Sequence, residues 1–204
     1  LLRQVWPLVD EQKLAPGFTT DPVGDLAAHA APGVLHKYHG RALLITTGAC
    51  AIHCRYCFRR HFPYAQAQAA SQDWRAALEY IAADPHISEV ILSGGDPLSL
   101  ADHKLSALAQ RLAEIPHVRR LRLHTRLPIV LPERIDEHLL RWLASSRLIP
   151  VMVIHANHAQ EIDETVAVAL RRVQAAGVRL LNQTVLLKGV NDDVSTLAAL
   201  SEAL

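Results

Sequence analysis

The chain has 204 residues, half of them hydrophobic and a fifth charged, so it can bury one sizeable core and needs no more than one domain. A formal charge of +1 excludes a broad electrostatic attraction to nucleic acid or membrane surfaces, and no apolar run approaches the ~20 residues of a membrane helix. The expected partner is therefore a small-molecule substrate, with no nucleic acid and no membrane.

From Leu1 to about Gly40 there is no sustained periodicity, and Pro7, Pro16, Pro22 and Pro32 interrupt any long element. This stretch reads as a lead-in that wraps a larger body. It ends in His36-Lys37-Tyr38-His39-Gly40-Arg41, a basic and aromatic cluster that the residues alone describe as a solvated loop. Residues 42–47 are an apolar run of the length of a buried strand, stopped by Gly48.

All three cysteines follow directly, in Cys50-Ala51-Ile52-His53-Cys54-Arg55-Tyr56-Cys57. The spacing C-x3-C-x2-C reads as a three-thiolate cradle that can hold three irons of a [4Fe–4S] cluster. With no fourth cysteine, one iron would be open to a ligand from outside the protein, which marks a catalytic centre. A structural zinc site with His53 or His61 as fourth ligand is the alternative. An odd cysteine count with no second group of cysteines argues against a disulfide framework and for a reducing compartment.

Beyond the loop, Trp74, Ala77, Leu78 and Ile81 fall at helical spacing behind a cap at Ser71 or Asp73. The pattern then repeats, with strands at 89–93, 118–124, 149–155 and 178–187, each followed by a helix, at 102–115, 133–145, 161–176 and 193–204. Five alternating strand–helix units predict an α/β fold with a parallel sheet. A closed eight-unit barrel needs roughly 250 residues, so the sheet is expected to be open and curved. Groups of chemical interest should gather at the carboxyl ends of the strands. The cysteine loop, Gly94-Gly95-Asp96, His124-Thr125-Arg126 and His155-Ala156-Asn157-His158 all fall there, and Asn182-Gln183 lies within the fifth strand.

The cysteine loop after an apolar strand resembles the radical S-adenosylmethionine (radical SAM) enzymes. The longer string Cys54-Arg-Tyr-Cys-Phe-Arg-Arg-His61 is similar to the lysine 2,3-aminomutases, as are Ser93-Gly94-Gly95-Asp96-Pro97, His155-Ala156-Asn157-His158 and the segment Asn182 to Asp192. The resemblance is strongest to the bacterial aminomutases that make (R)-β-lysine for elongation factor P.

The resemblance implies a radical SAM partial (β/α) barrel with five of its six units present. It divides the chain into a lead-in, 1–40, that contributes to a pyridoxal 5′-phosphate (PLP) pocket, and a core domain, 41–204. It implies three cofactors: a [4Fe–4S] cluster on Cys50, Cys54 and Cys57, S-adenosyl-L-methionine (SAM) and PLP. SAM contacts carry over to Ser93, Gly94, Gly95, Asp96, His155 and Gln183, with Tyr56 shielding the adenine. Lys37, Tyr38 and Arg41 carry over as contacts to PLP or its phosphate, and Arg59 as the clamp on the substrate carboxylate. The implied reaction is 2,3-amino migration on L-lysine, supplied by a one-electron donor protein, in the cytoplasm. The residues that bind PLP covalently and hold the substrate ammonium groups are expected beyond residue 204, in a longer protein. A different radical SAM reaction, such as activation of a partner enzyme, and a zinc-stabilised binding module are the other readings.

Overall fold

The computed structural model describes residues 1–13, 15–65 and 74–204. Among these residues the framework is one sheet of seven strands whose order in space is their order in the chain. Strands β1 (His29–Ala31) and β2 (Val34–Tyr38) are antiparallel to each other, and β2 is antiparallel to β3 (Arg41–Thr47). From β3 onward every pairing is parallel, through β4 (Glu89–Gly94), β5 (Arg120–Thr125), β6 (Ile149–Ile154) and β7 (Arg179–Asn182). The two ends of the sheet do not pair with each other, so the architecture is an open partial (β/α) barrel.

Helices connect the parallel strands: α1 (Arg75–Ala83), α2 (Asp102–Glu114), the short α3 (Leu127–Val130) with α4 (Glu137–Ser145), α5 (Glu164–Ala175) and, after β7, α6 (Val194–Ala203). Leu105, Leu108, Ala109 and Leu112 of α2 are buried at the i, i+3, i+4, i+7 spacing of one helix face. Aspartates start α4, α5 and α6: Asp136, Asp163 and Asp193 each accept a hydrogen bond from the backbone N–H three residues on. Such a cap stabilises a helix by about 1 kcal/mol. Among the described residues no helix is long and apolar enough to cross a membrane.

Alternation along the strands divides the sheet into two faces. Ala42, Leu44, Val90, Leu92, Leu121, Leu123, Met152 and Ile154 point to the helices and form the main core with them. The residues between them, including Leu43, Ser93, His124 and, just past β6, His155, turn to the other face and line a cavity.

The structure amends the sequence reading in three places, and a fourth expectation lies outside the residues it describes. His36 to Arg41 is a β-hairpin: Tyr38 pairs with Arg41, and Gly40 takes the positive φ of 82° that the turn demands. The fifth parallel strand ends at Asn182, so Gln183 lies just beyond β7, where its N–H still donates to Ile154 O at 2.9 Å. The helices expected from 133 and from 161 begin at Glu137 and Glu164, because Pro132–Arg134 and Ala159–Glu161 form separate 3-10 turns. The cap expected at Ser71 or Asp73 lies outside the described residues.

Candidate cluster and cofactor site

The cysteine loop leaves the end of β3 and is fastened there by its neighbour. Gly95 N donates to Thr47 O at 2.7 Å and Asp96 N to Ala49 O at 2.8 Å, extending the β3–β4 ladder past both strands. A β-carbon on Gly95 would stand 2.2 Å from Ala49 O, and one on Gly94 2.6 Å from Thr47 O. The two glycines line the cavity, and their missing side chains also make room for the cysteine loop's own backbone.

Asp96 is buried and its carboxylate is filled by protein donors. Oδ1 accepts from Thr125 Oγ1 at 2.7 Å and Leu98 N at 3.0 Å; Oδ2 accepts from Arg126 N at 2.7 Å and Leu127 N at 3.1 Å. Burial pushes its pKa up against the pull of those four hydrogen bonds. Its side chain therefore ties the end of β4 to the end of β5.

The lead-in closes over the loop from outside. Gln4 O accepts from Arg55 N at 2.8 Å, Arg3 O accepts from Arg55 Nη1 at 2.8 Å, and Glu11 pairs with Arg55 at 2.5 Å and Arg60 at 2.6 Å. The hydrogen bond from Arg60 leads the causes that hold the Glu11 carboxyl down at about 2.

Cys50, Cys54 and Cys57 are free thiols that line two cavities, one of about 210 Å³ over the strand ends and one of about 820 Å³ beneath the lead-in. Burial, reinforced by Asp96 and the other two cysteines, pushes the Cys50 thiol up to about 11. A thiol in such surroundings keeps its proton until a metal cation displaces it. Among the described residues no group of three or more His, Cys, Asp or Glu is gathered around a single-ion position, and His53 and His61 are exposed. A cluster does not need that convergence, because each thiolate bonds its own iron. The donor set of three soft sulfurs on one loop, facing a shared cavity, fits a [4Fe–4S] cluster.

The smaller cavity also collects Tyr56, Arg59, Ser93, Gly94, Gly95, Asp96, His155 and Gln183, each expected from the sequence. The Tyr56 hydroxyl accepts from Asn157 Nδ2 at 2.8 Å, and burial holds its pKa well above the usual phenol range. Arg59 donates from Nε to Asp25 Oδ2 at 2.7 Å and from Nη1 to Ser93 Oγ at 3.0 Å, which sets the plane of its guanidinium. Among the described residues His155 Nε2 is buried without a hydrogen-bond partner, as is Nε2 of His124, whose ring lies edge-on to it at 5.7 Å. Burial leads the causes that drive both imidazoles down to about 4, so both are neutral.

Lys37, Tyr38 and Arg41 do not line this cavity. Lys37 Nζ pairs with Asp25 Oδ1 at 2.5 Å and donates to Val23 O. Tyr38 and Arg41 lie at the hairpin, at the opposite end of β3 from the cysteines, with the Arg41 guanidinium 5.8 Å from the Tyr38 ring centre.

Sequence reading assigned no role to six residues that shape the site. Asp25 links Arg59 to Lys37. Arg126 donates to Cys54 Sγ at 2.9 Å, to Gln4 Oε1 at 2.9 Å and to Glu161 Oε1 at 2.8 Å. Asn157, nearly fully buried, joins Gln4 and Tyr56 through Nδ2 and receives Val185 N on Oδ1. His124, Arg126 and Asn157 were marked by their places at strand ends. Nothing local marked Gln4, Asp25 or Glu161.

Comparison with known proteins completes the picture. The model of the radical SAM superfamily matches residues 44–200. The chain is 54% identical over all 204 residues to the L-lysine 2,3-aminomutase of Escherichia coli (strain K12), covering 59% of that protein. It is 53% identical over 190 residues, 93% of its length, to that of Haemophilus influenzae, covering 56% of that protein. To that of Buchnera aphidicola it is 43% identical over all 204 residues, covering 60%. The chain thus spans a little over half the length of these relatives.

Proposed function

Since this chain belongs to the radical SAM superfamily, we propose that it forms the cluster- and SAM-binding part of a lysine 2,3-aminomutase that makes (R)-β-lysine from L-lysine. The observation that carries the reading is the meeting of the three cysteines in one cavity with Arg59, Ser93 to Asp96, His155 and Gln183. When bound, the cluster and SAM supply a radical that abstracts hydrogen, and PLP holds the amino group that migrates.

The chain's own residues bind and orient. Cys50, Cys54 and Cys57 hold three irons. Ser93, Gly94, Gly95, Asp96, His155 and Gln183 contact SAM, and Tyr56, braced by Asn157, walls the adenine. The neutral His155 offers the ligand a buried Nε2 that has no hydrogen-bond partner among the described residues, without adding charge. Arg59, oriented by Asp25 and Ser93, receives the lysine carboxylate through its planar fork. In this reading residues 1–40 wrap the core domain, 41–204, and Lys37 and Tyr38 of the lead-in, with Arg41 at the start of the core, contact PLP or its phosphate. A one-electron donor protein serves the cluster, and the product goes to elongation factor P modification in the cytoplasm.

The test is anaerobic reconstitution of the chain, extended to the length of its relatives, followed by assay of L-lysine with SAM, PLP and a reductant. β-Lysine formation that disappears in Cys54→Ala is expected. A protein that assembles the cluster and cleaves SAM yet leaves L-lysine unchanged overturns the aminomutase reading.

A further inference from the structure

Resting on the cluster reading above, we propose that Arg126 and Glu161 tune the reduction potential of the cluster in opposite directions. Arg126 makes the cluster easier to reduce, and Glu161 limits that effect.

The geometry is specific. Arg126 follows β5 and is only 6% exposed. Its Nη1 points at Cys54 Sγ, 2.9 Å away, while Nη2 points at Glu161 Oε1, 2.8 Å away. Glu161 is equally enclosed, and its other oxygen accepts from Asn157 N at 2.7 Å and His158 N at 3.0 Å. Gln4 Oε1 holds the same Nη2 at 2.9 Å, and the guanidinium lies 5.5 Å from the centre of the Tyr56 ring. Both charges are therefore fixed by several partners in a site shielded from water.

Reduction adds one electron to the cluster from a low-potential one-electron reductant; no bond is made or broken. The added negative charge is stabilised by a hydrogen bond to a ligand sulfur and by a buried cation beside it. A buried carboxylate on the far side of that cation works against it. Arg126 is thus a positioning and tuning residue, and it need not touch SAM or substrate to act. The cysteine loop has other anchors, at Arg55 N to Gln4 O and Asp96 N to Ala49 O, so its fold does not depend on this one bond.

The experiment is a potentiometric titration of the full chain, reconstituted anaerobically with iron and sulfide, read by electron paramagnetic resonance of the reduced cluster without SAM. Arg126→Gln should make reduction at least tenfold less favourable, about 59 mV for one electron. Arg126→Lys should recover most of that loss, and Glu161→Gln should shift the midpoint the other way. Glu161→Gln and Arg126→Lys keep the test open should Arg126→Gln fail to fold. Clusters with equal midpoints in all variants, or shifts of one sign, overturn the proposal. So does an Arg126→Gln protein with weaker SAM binding and an unchanged SAM-free midpoint. Failure of the unsubstituted chain to assemble any iron–sulfur cluster would instead overturn the reading on which the proposal rests.

Discussion

Arg59 and Asp25, 34 residues apart in sequence, meet in an ion pair of 2.7 Å with both side chains under a tenth exposed. The other oxygen of Asp25 takes Lys37, so one carboxylate from the lead-in serves a cation from the cysteine loop and one from β2. This joins the hairpin to the site and fixes the arginine that faces the cavity.

Removal of that carboxylate leaves two cations without their buried counter-charge. Asp25→Asn is expected to destabilise the chain by about 3–5 kcal/mol near neutral pH. Burial raises the Asp25 pKa, but Lys37 and Arg59 outweigh it and hold the carboxyl below its usual value. A depressed folded pKa means stability that is complete above the unfolded value of about 3.9 and lost as pH falls through the folded one. Urea unfolding across pH should show that acid-side loss in the native chain and a flatter profile in Asp25→Asn. Equal stability of the two at pH 7 would show that the pair contributes nothing net.

Gly95→Ala places a β-carbon 2.2 Å from Ala49 O, a backbone atom that cannot swing aside. Overpacking of this kind costs about 1–3 kcal/mol and should displace the loop between Ala49 and Cys50. Gly177→Ala is the control: no described residue lies within 4 Å of its added carbon, so only its φ of 81° is strained. Iron bound per chain after reconstitution should fall in Gly95→Ala and hold in Gly177→Ala. Full iron loading of Gly95→Ala would show that the loop does not need this close approach.

The His124–His155 pair predicts a separate pH dependence. Burial first, then repulsion from His155 and Arg122 at His124 and from Arg126 and Arg59 at His155, lowers each imidazole from 6.5 to about 4. The unfolded chain therefore binds more protons between those values, so stability is complete above pH 6.5 and declines as pH falls toward 4. A displacement of this size is worth on the order of 3 kcal/mol per imidazole. The window lies above the one assigned to Asp25, which separates the two effects. Ring resonances in NMR should stay in the neutral form at pH 5.5; titration of both near 6.5 would contradict the burial seen here.

Three kinds of feature were legible in the sequence, each contained in a short window. The spacing of Cys50, Cys54 and Cys57 carries its chemistry within eight residues. Apolar runs and helical spacing located the strands and helices from β3 to α6, because the 2.0 and 3.6 periods show directly in neighbouring residues. The place of the motifs at strand ends followed from those elements. The β2–β3 hairpin was less legible, since the polar residues His36 to Arg41 show little of the alternation that marks a strand.

Only the tertiary structure decided which charges meet. Arg126 finds Gln4 across 122 residues of sequence and Cys54 across 72, and nothing in the sequence around Arg126 or Gln4 announces either meeting. The role of Gly95 was also settled in space, because its close neighbour is the backbone of Ala49 on the loop that leaves the adjacent strand β3. Periodicity specifies elements one at a time. The register between strands and the path of the lead-in over them select the partners, and no local window contains that information.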